Sequence, residues 1–106
     1  MQASEYQKMA AKTIGKQMTF WNVLSEGAMG ICSEAGEVAG LVKKPIYQGG
    51  KLDRERIKEE LGDVLWYAAE VATGLDIGLE DVMEANIEKI KGRYPECFAE
   101  GKKGEK

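Results

Sequence analysis

Two stretches of this chain carry apolar residues at the spacing of an α-helix. The apolar stripes are Ile31, Ala35, Val38, Ala39 and Val42 in the first stretch, and Ile57, Leu61, Val64, Leu65, Ala68 and Val71 in the second. Residues three or four positions apart share one face of a helix, whereas a strand alternates every second residue. No alternating pattern competes with them in the sequence. We therefore predict an all-α fold built around these two amphipathic helices.

Local signals place the helix ends. We predict helices at about residues 5–16, 21–44, 54–73 and 79–92, with Ser4 capping the first and Asp53 capping the third. Pro45 should end or kink the second helix, because proline lacks the N–H that a helix interior needs. We assign residues 1–98 to one domain and expect residues 99–106 to form a polar, disordered tail.

Each of the two striped helices also carries a pair of acids three residues apart. The first pair is Glu34 and Glu37, and the second is Glu60 and Asp63. Measured from the apolar stripe, Glu34 and Glu60 occupy the same angle, and the second acid of each pair lies about 60° further round. Two helices that pack through their stripes would therefore direct all four acids into one gap.

The donor set favours a hard cation. The chain has no histidine and only two separated cysteines, Cys32 and Cys97, which excludes structural zinc and a histidine-containing di-iron centre. Oxygen ligands alone are typical of Mg²⁺. Solvated glutamate faces are also common on helices, and short motifs give false matches. A solvent-exposed acidic face therefore stays open as the alternative on these residues alone.

Composition limits the class of protein. The chain has 106 residues and a net charge of −3, which suits one domain and leaves no basic surface for a nucleic acid polymer. No apolar run has the length of a membrane span, so we expect no membrane partner. The first residues show no signal-peptide pattern, and we expect a cytoplasmic protein.

Three segments carry a family resemblance. SEAGEVAGLVKK, EELGDVLWYAAEVA and ANIEKIKGRYP together resemble the MazG-type all-α nucleoside triphosphate pyrophosphohydrolases, over about residues 20–95 and in the family's order. The resemblance implies Mg²⁺- or Mn²⁺-dependent hydrolysis of a (deoxy)nucleoside triphosphate to the monophosphate and pyrophosphate, with nucleotide-pool cleansing as its purpose. It also implies a helical protomer of about four helices that completes a four-helix bundle as a homodimer or homotetramer.

The resemblance also implies roles for individual residues. The metal-ligand places fall on Glu34, Glu37, Glu60 and Asp63, and the substrate-contacting places fall on Asn86, Lys89 and Arg93. A carboxylate that is not fully engaged with metal can accept a proton from the attacking water. We place this catalytic role on Glu37 and Glu60, with Glu37 favoured as the base.

The aromatic residues and the remaining cations leave alternatives open. Tyr67 lies four residues after Asp63 and shares its face, where it would contact a sugar or base or simply pack. Trp21 lies where the family often has an aromatic residue against the base, and Trp66 points away from the acids, towards an interface between protomers. Lys43 and Lys44 end a helix and are expected to complement its dipole.

Two other functions fit the same residues. A related pyrophosphatase specific for phosphoribosyl-ATP or dUTP would use the same acids. A catalytically silent helical oligomerisation module with a residual cation site belongs to a different class of protein. The presence of all four acids favours an enzyme over this module, and an assay of pyrophosphate release separates the alternatives.

Overall fold

The computed structural model describes residues 1–99 of the chain, and nearly all of the predicted tail therefore lies outside the described residues. Over this range the chain is helical and contains no strand, which confirms the all-α prediction. The five helices are α1 (Ala3–Ala11), α2 (Phe20–Tyr47), α3 (Arg54–Gly74), α4 (Leu79–Arg93) and the short α5 (Pro95–Phe98).

Side-chain caps begin three of these helices. Thr19 Oγ1 accepts a hydrogen bond from the Asn22 amide at 3.2 Å, and the Asp53 carboxylate accepts one from the Arg56 amide at 3.1 Å. The cap predicted at Asp53 is therefore confirmed. At the first helix, Glu5 accepts a hydrogen bond from the Gln2 amide at 2.8 Å, so this helix begins before Ser4 and the cap predicted there is wrong.

The second helix extends past its predicted end. Pro45 lies inside α2, which continues to Tyr47. The carbonyl of Lys44 accepts hydrogen bonds from the amides of Gln48 at 2.9 Å and Gly50 at 3.1 Å, so the final turn is held although proline donates nothing. Gly49 has a φ of 74°, and this left-handed residue turns the chain away from the helix.

Helices α2 and α3 form the most extensive contact in the described chain. Glycines of α2 permit this close approach. A Cβ built on Gly27 would lie 2.6 Å from a methyl group of Val71, and one built on Gly30 would overlap the ring of Tyr67. Both side chains of α3 therefore lie against the backbone of α2, which sets the two predicted acid helices side by side.

Helix α1 packs on the other side of α3. The rings of Tyr6 and Trp66 meet edge to face with their centroids 5.8 Å apart, and Trp66 Nε1 donates a hydrogen bond to Thr13 Oγ1 at 3.0 Å. Trp66 therefore packs within the protomer, and its predicted place at an interface between protomers stays a prediction. Ala10 and Ala69 are fully buried beneath this contact.

Helix α4 is joined to the rest mainly through its first turn. Gln7 of α1 donates a hydrogen bond to the carbonyl of Ile77 at 2.9 Å and accepts one from the amide of Leu79 at 2.7 Å. Beyond that turn the apolar side chains of α4 are about half exposed: Val82 at 45%, Met83 at 52% and Ile87 at 46%. Among the described residues no large side chain is fully buried, so a single protomer has a thin core. No helix of this range has the length and apolar character needed to cross a bilayer.

Candidate functional site

Three of the four predicted acids meet between α2 and α3. One carboxylate oxygen from each of Glu34, Glu60 and Asp63 lies within 4.8 Å of the other two. Glu34 and Glu60 are partly buried, while Asp63 is exposed at the edge of the helix pair. We call this group the acid cluster. Its convergence follows from the equal helical register of the two acid pairs.

The same contacts that join the helices position the acid cluster. On α2, Glu34 lies one turn after Gly30. On α3, Glu60 lies about two turns before Tyr67. Because the ring of Tyr67 lies against Gly30, the adjoining turns of both helices are held close. The acids are therefore placed by backbone packing rather than by long flexible segments.

Glu37 stands beside the cluster but outside it. Its side chain is exposed and contributes to the negative charge around Glu34. It lines a polar cleft of about 320 Å³ that begins next to the cluster. The other residues of this cleft are Gly36, Gly40, Leu41, Lys43, Lys44, Gln48 and Arg56. The cleft therefore places cationic side chains directly beyond the acids.

The acid cluster holds more negative charge than its surroundings neutralise. The neighbouring carboxyl group of Glu60, burial, and the charges of Asp63 and Glu37 raise the pKa of Glu34 to about 7. Glu60 Oε1 is buried without a hydrogen-bond partner among the described residues. Its Oε2 lies 3.8 Å from Nη2 of Arg56. A cation bound between Glu34 and Glu60 would replace the proton that these two carboxyl groups share.

The residues present fit a hard divalent cation. All donors are carboxylate oxygens, they come from two rigid helices, and one buried oxygen lacks a partner. Mg²⁺ is commonly held by a few carboxylates together with water and substrate phosphates. Buried polar atoms in folded proteins nearly always have a partner, so the orphaned oxygen of Glu60 is consistent with a ligand position.

The two predicted aromatic contacts lie at different distances from the cluster. Tyr67 is partly buried between α2 and α3, against Gly30 and one helical turn after Asp63. Trp21 is 72% exposed at the start of α2, with its ring edge to face against Phe20 at 5.0 Å. Thirteen residues of helix separate it from Glu34, a distance of about 20 Å along the axis. The structure brings Tyr67 to the cluster and does not bring Trp21 there.

The predicted substrate contacts of α4 lie in a separate groove from the acids. Asn86 and Lys89 lie in a shallow groove with Ile77 and Val82, and Arg93 is exposed near the end of the helix. In the described part of the chain α4 contacts α1, α3 and α5 but not α2. The groove that holds Asn86 and Lys89 contains none of the acids of the cluster.

Arg56 is a candidate site residue that the sequence reasoning missed. It lies four residues before Glu60, one turn earlier on the same face of α3, and its guanidinium approaches the Glu60 carboxylate. The signal was present as an arginine at helical spacing from a predicted ligand. Lys44, which we predicted to complement the helix dipole, shares the cleft with Arg56.

Comparison with known proteins agrees with this arrangement. The family model of the MazG nucleotide pyrophosphohydrolase domain matches residues 26–98. The chain is also similar to the "Gene 37 protein" of Mycobacterium phage L5, with 39% identity over 82 residues, covering 74% of this chain and 72% of the phage protein. No solved structure matches the chain significantly. The matched residues include every acid of the cluster and Glu37, and the chain belongs to the MazG nucleotide pyrophosphohydrolase family.

Proposed function

We propose that this protein hydrolyses (deoxy)nucleoside triphosphates to the monophosphate and pyrophosphate in a Mg²⁺-dependent reaction. The observation that carries the proposal is the acid cluster, in which three carboxylate oxygens from two helices lie within 4.8 Å of one another. Membership of a nucleotide pyrophosphohydrolase family supports the reaction class. An oxygen-only donor set supports Mg²⁺ or Mn²⁺ rather than zinc.

Glu34, Glu60 and Asp63 would hold the cation. A bound Mg²⁺ neutralises phosphate charge and lowers the pKa of a coordinated water. The three carboxylates fix its position because both helices are rigid and closely packed. The proton that Glu34 keeps because of its raised pKa must leave when the cation binds, so cation binding is coupled to deprotonation.

Glu37 is suited to accept the proton of the attacking water. It lies outside the acid cluster, so its oxygens are not required as metal ligands, and it is exposed at the mouth of the polar cleft. Arg56 and Lys44 line the same cleft and would bind the oxygens of the departing pyrophosphate. Arginine binds phosphate with a planar fork, and lysine binds it as a point charge.

We further propose that the working enzyme is at least a homodimer. The substrate contacts implied for Asn86, Lys89 and Arg93 would come from a second protomer, because within the described residues α4 does not contact α2 and its groove contains none of the acids of the cluster. Apolar residues that a partner would cover are exposed on the outer face of α3: Leu61 is 50% and Leu65 is 54% exposed. Pairing would bury this surface together with the half-exposed face of α4.

The test is a product assay on a broad substrate panel. The purified protein is incubated with Mg²⁺ and each ribo- and deoxyribonucleoside triphosphate, dUTP and phosphoribosyl-ATP, and phosphorus NMR follows the products. The proposal predicts a nucleoside monophosphate and pyrophosphate in equal amounts. Hydrolysis of phosphoribosyl-ATP or dUTP alone would identify one of the narrower enzymes. No turnover of any substrate would favour the silent oligomerisation module.

A further inference from the structure

Helix α1 lies outside the residues that the family model matches, yet it contacts α3 at the turn that carries part of the acid cluster. Tyr6 Oη of α1 donates a hydrogen bond to the carbonyl oxygen of Gly62 at 3.3 Å. Gly62 lies between Glu60 and Asp63 and directly precedes Asp63 in the chain. The bond therefore restrains the peptide group that joins Gly62 to Asp63.

The aromatic ring of Tyr6 is itself held in place. It meets the ring of Trp66 edge to face, with the centroids 5.8 Å apart, and its side chain is partly buried. Trp66 follows Gly62 by four residues, so both lie on the face of α3 that α1 covers. The contact with Trp66 fixes the ring, and the ring fixes the place where the hydroxyl group meets α3.

The hydroxyl group of Tyr6 also lies close to the carboxylate of Asp63. Burial and the charge of Asp63 raise the pKa of Tyr6, so the phenol keeps its proton at neutral pH and stays a donor. Glu60 has the guanidinium of Arg56 at 3.8 Å, but no ion pair of the described range involves Asp63. The position of the Asp63 carboxylate therefore depends strongly on the backbone of its own turn.

Gly62 makes this turn of α3 the weak point of the cluster. Glycine inside a helix is destabilising relative to alanine, because it loses more conformational freedom on folding. A Cβ built on Gly62 would meet nothing within 4 Å, so packing within the described protomer does not require glycine there. A flexible residue thus separates Glu60 from Asp63, and the hydrogen bond from Tyr6 restrains it.

We propose that Tyr6 is a positioning residue that holds the turn of Gly62, so that the Asp63 carboxylate is in place before the cation binds. This inference rests on the proposed function and adds to its site a residue from outside the family-matched range. A group that is already ordered loses less freedom on binding, so restraint of the turn strengthens cation binding. Without the hydroxyl group, Asp63 would have to be ordered by the cation itself.

The experiment uses Tyr6→Phe, which keeps the ring and its contact with Trp66 but removes the donor. Hydrogen exchange of the Asp63 amide is measured by NMR in the metal-free protein, and calorimetry then measures the Kd for Mg²⁺ alone. We expect faster exchange at Asp63 in the variant. We also expect its Kd for Mg²⁺ to rise by about threefold, the scale of one hydrogen bond.

Thr13→Val is the matched control for a general loss of stability. It removes another hydrogen bond between the N-terminal segment and α3, the one that Trp66 Nε1 donates to Thr13 Oγ1 at 3.0 Å. This control should lower the Tm but leave the Asp63 exchange rate and the Kd for Mg²⁺ at their wild-type values. Addition of Gly62→Ala to Tyr6→Phe should restore the Kd, because alanine stiffens the same turn without a clash.

Three results would overturn the positioning role of Tyr6. They are a wild-type Kd in Tyr6→Phe, an equal rise of the Kd in Thr13→Val, and no recovery of the Kd in the double variant. A wild-type protein that binds no Mg²⁺ would instead overturn the cation site, and with it the proposed function.

Discussion

The carboxylates of Glu34, Glu60 and Asp63 are closer together than their charges favour. Like charges at helical spacing already cost about 0.2–0.5 kcal/mol per pair on an isolated helix, and two helices bring the pairs together here. The protein relieves this repulsion by holding a proton, which is why the pKa of Glu34 rises to about 7. A cation is the alternative way to relieve the same repulsion.

The raised pKa values predict how stability depends on pH. Glu34 and Glu70 both have a folded-state pKa of about 7 against an ordinary value of 4.5, so the folded state binds more protons between these pH values. The free energy of unfolding of the metal-free protein should therefore fall as pH rises from 4.5 through 7 and then level off. Urea unfolding titrations in the presence of EDTA at several pH values measure this free energy of unfolding.

Single substitutions show which carboxyl groups cause the fall in the free energy of unfolding with rising pH. Glu34→Gln and Glu70→Gln should each flatten the fall in stability between pH 4.5 and 7, because each removes one proton-binding group. Glu59→Gln, an exposed neighbour on α3, should keep the wild-type slope. A wild-type stability that rises over this range would contradict the origin assigned to the raised pKa values.

Cation binding should stabilise the folded protein. A ligand that binds only the folded state raises the free energy of unfolding by mass action, by about 2.7 kcal/mol at a concentration 100 times its Kd. Millimolar Mg²⁺ should therefore raise the Tm of the wild type at pH 8, as scanning calorimetry would show. Glu60→Gln should abolish the Mg²⁺ shift yet melt no lower than wild type without Mg²⁺. An undiminished shift in Glu60→Gln would place the cation elsewhere.

At the scale of the helices, the α2–α3 contact depends on glycines rather than on large apolar side chains. Gly30 lies under the ring of Tyr67, and Gly27 lies under Val71. Glycine lowers helix stability by about 0.5–1 kcal/mol relative to alanine, so α2 is weakened by its own sequence and depends on its partner. Close approach of the two backbones compensates, and it also places the acids.

Substitution of Gly30 by alanine tests this contact. The added Cβ overlaps the Tyr67 ring, and overpacking of this kind costs about 1–3 kcal/mol. Gly40→Ala is the matched control on the same helix, because its Cβ would meet nothing within 4 Å. The control should gain about 0.5–1 kcal/mol of stability from helix propensity. Chemical unfolding measures both, and equal effects would contradict the close α2–α3 contact.

The sequence was sufficient for features that depend on helical period. The apolar stripes predicted the two long helices, and equal register predicted that the two acid pairs would converge. The position of Glu37 was harder to foresee, because an angle of about 60° on a helix decides whether a side chain enters the contact or borders it. The continuation of α2 past Pro45 depends on hydrogen bonds to Lys44, which local propensity does not encode.

Contacts between remote segments were beyond the sequence reasoning. Trp66 packs against Tyr6 and Thr13, more than fifty residues away in the chain, and no periodicity indicates such a partner. The proximity of Glu26 to the buried Glu70 escaped notice for the same reason, since the two residues have no shared motif. The family resemblance supplied roles for Asn86 and Lys89, but roles do not state which protomer supplies them.

At the scale of the whole molecule, the exposed apolar surface predicts an oligomer. Leu61 and Leu65 on α3 and the face of α4 are half exposed, and a second protomer would bury them. Light scattering at micromolar concentration should give at least twice the mass of one chain. Leu65→Glu should shift the mass towards one chain and lower activity. The exposed Glu55→Gln is the control, and a fully active monomer would contradict this assembly.

The central claim is that the acid cluster supports pyrophosphate release from a nucleoside triphosphate. The most direct test measures pyrophosphate from each dNTP with Mg²⁺ for the wild type and for Asp63→Asn, which keeps size and helix but removes one charge from the cluster. The account predicts release by the wild type and a loss of about 10²-fold or more in the variant, as expected when charge stabilisation at the reacting centre is lost. Equal release by both proteins would contradict it.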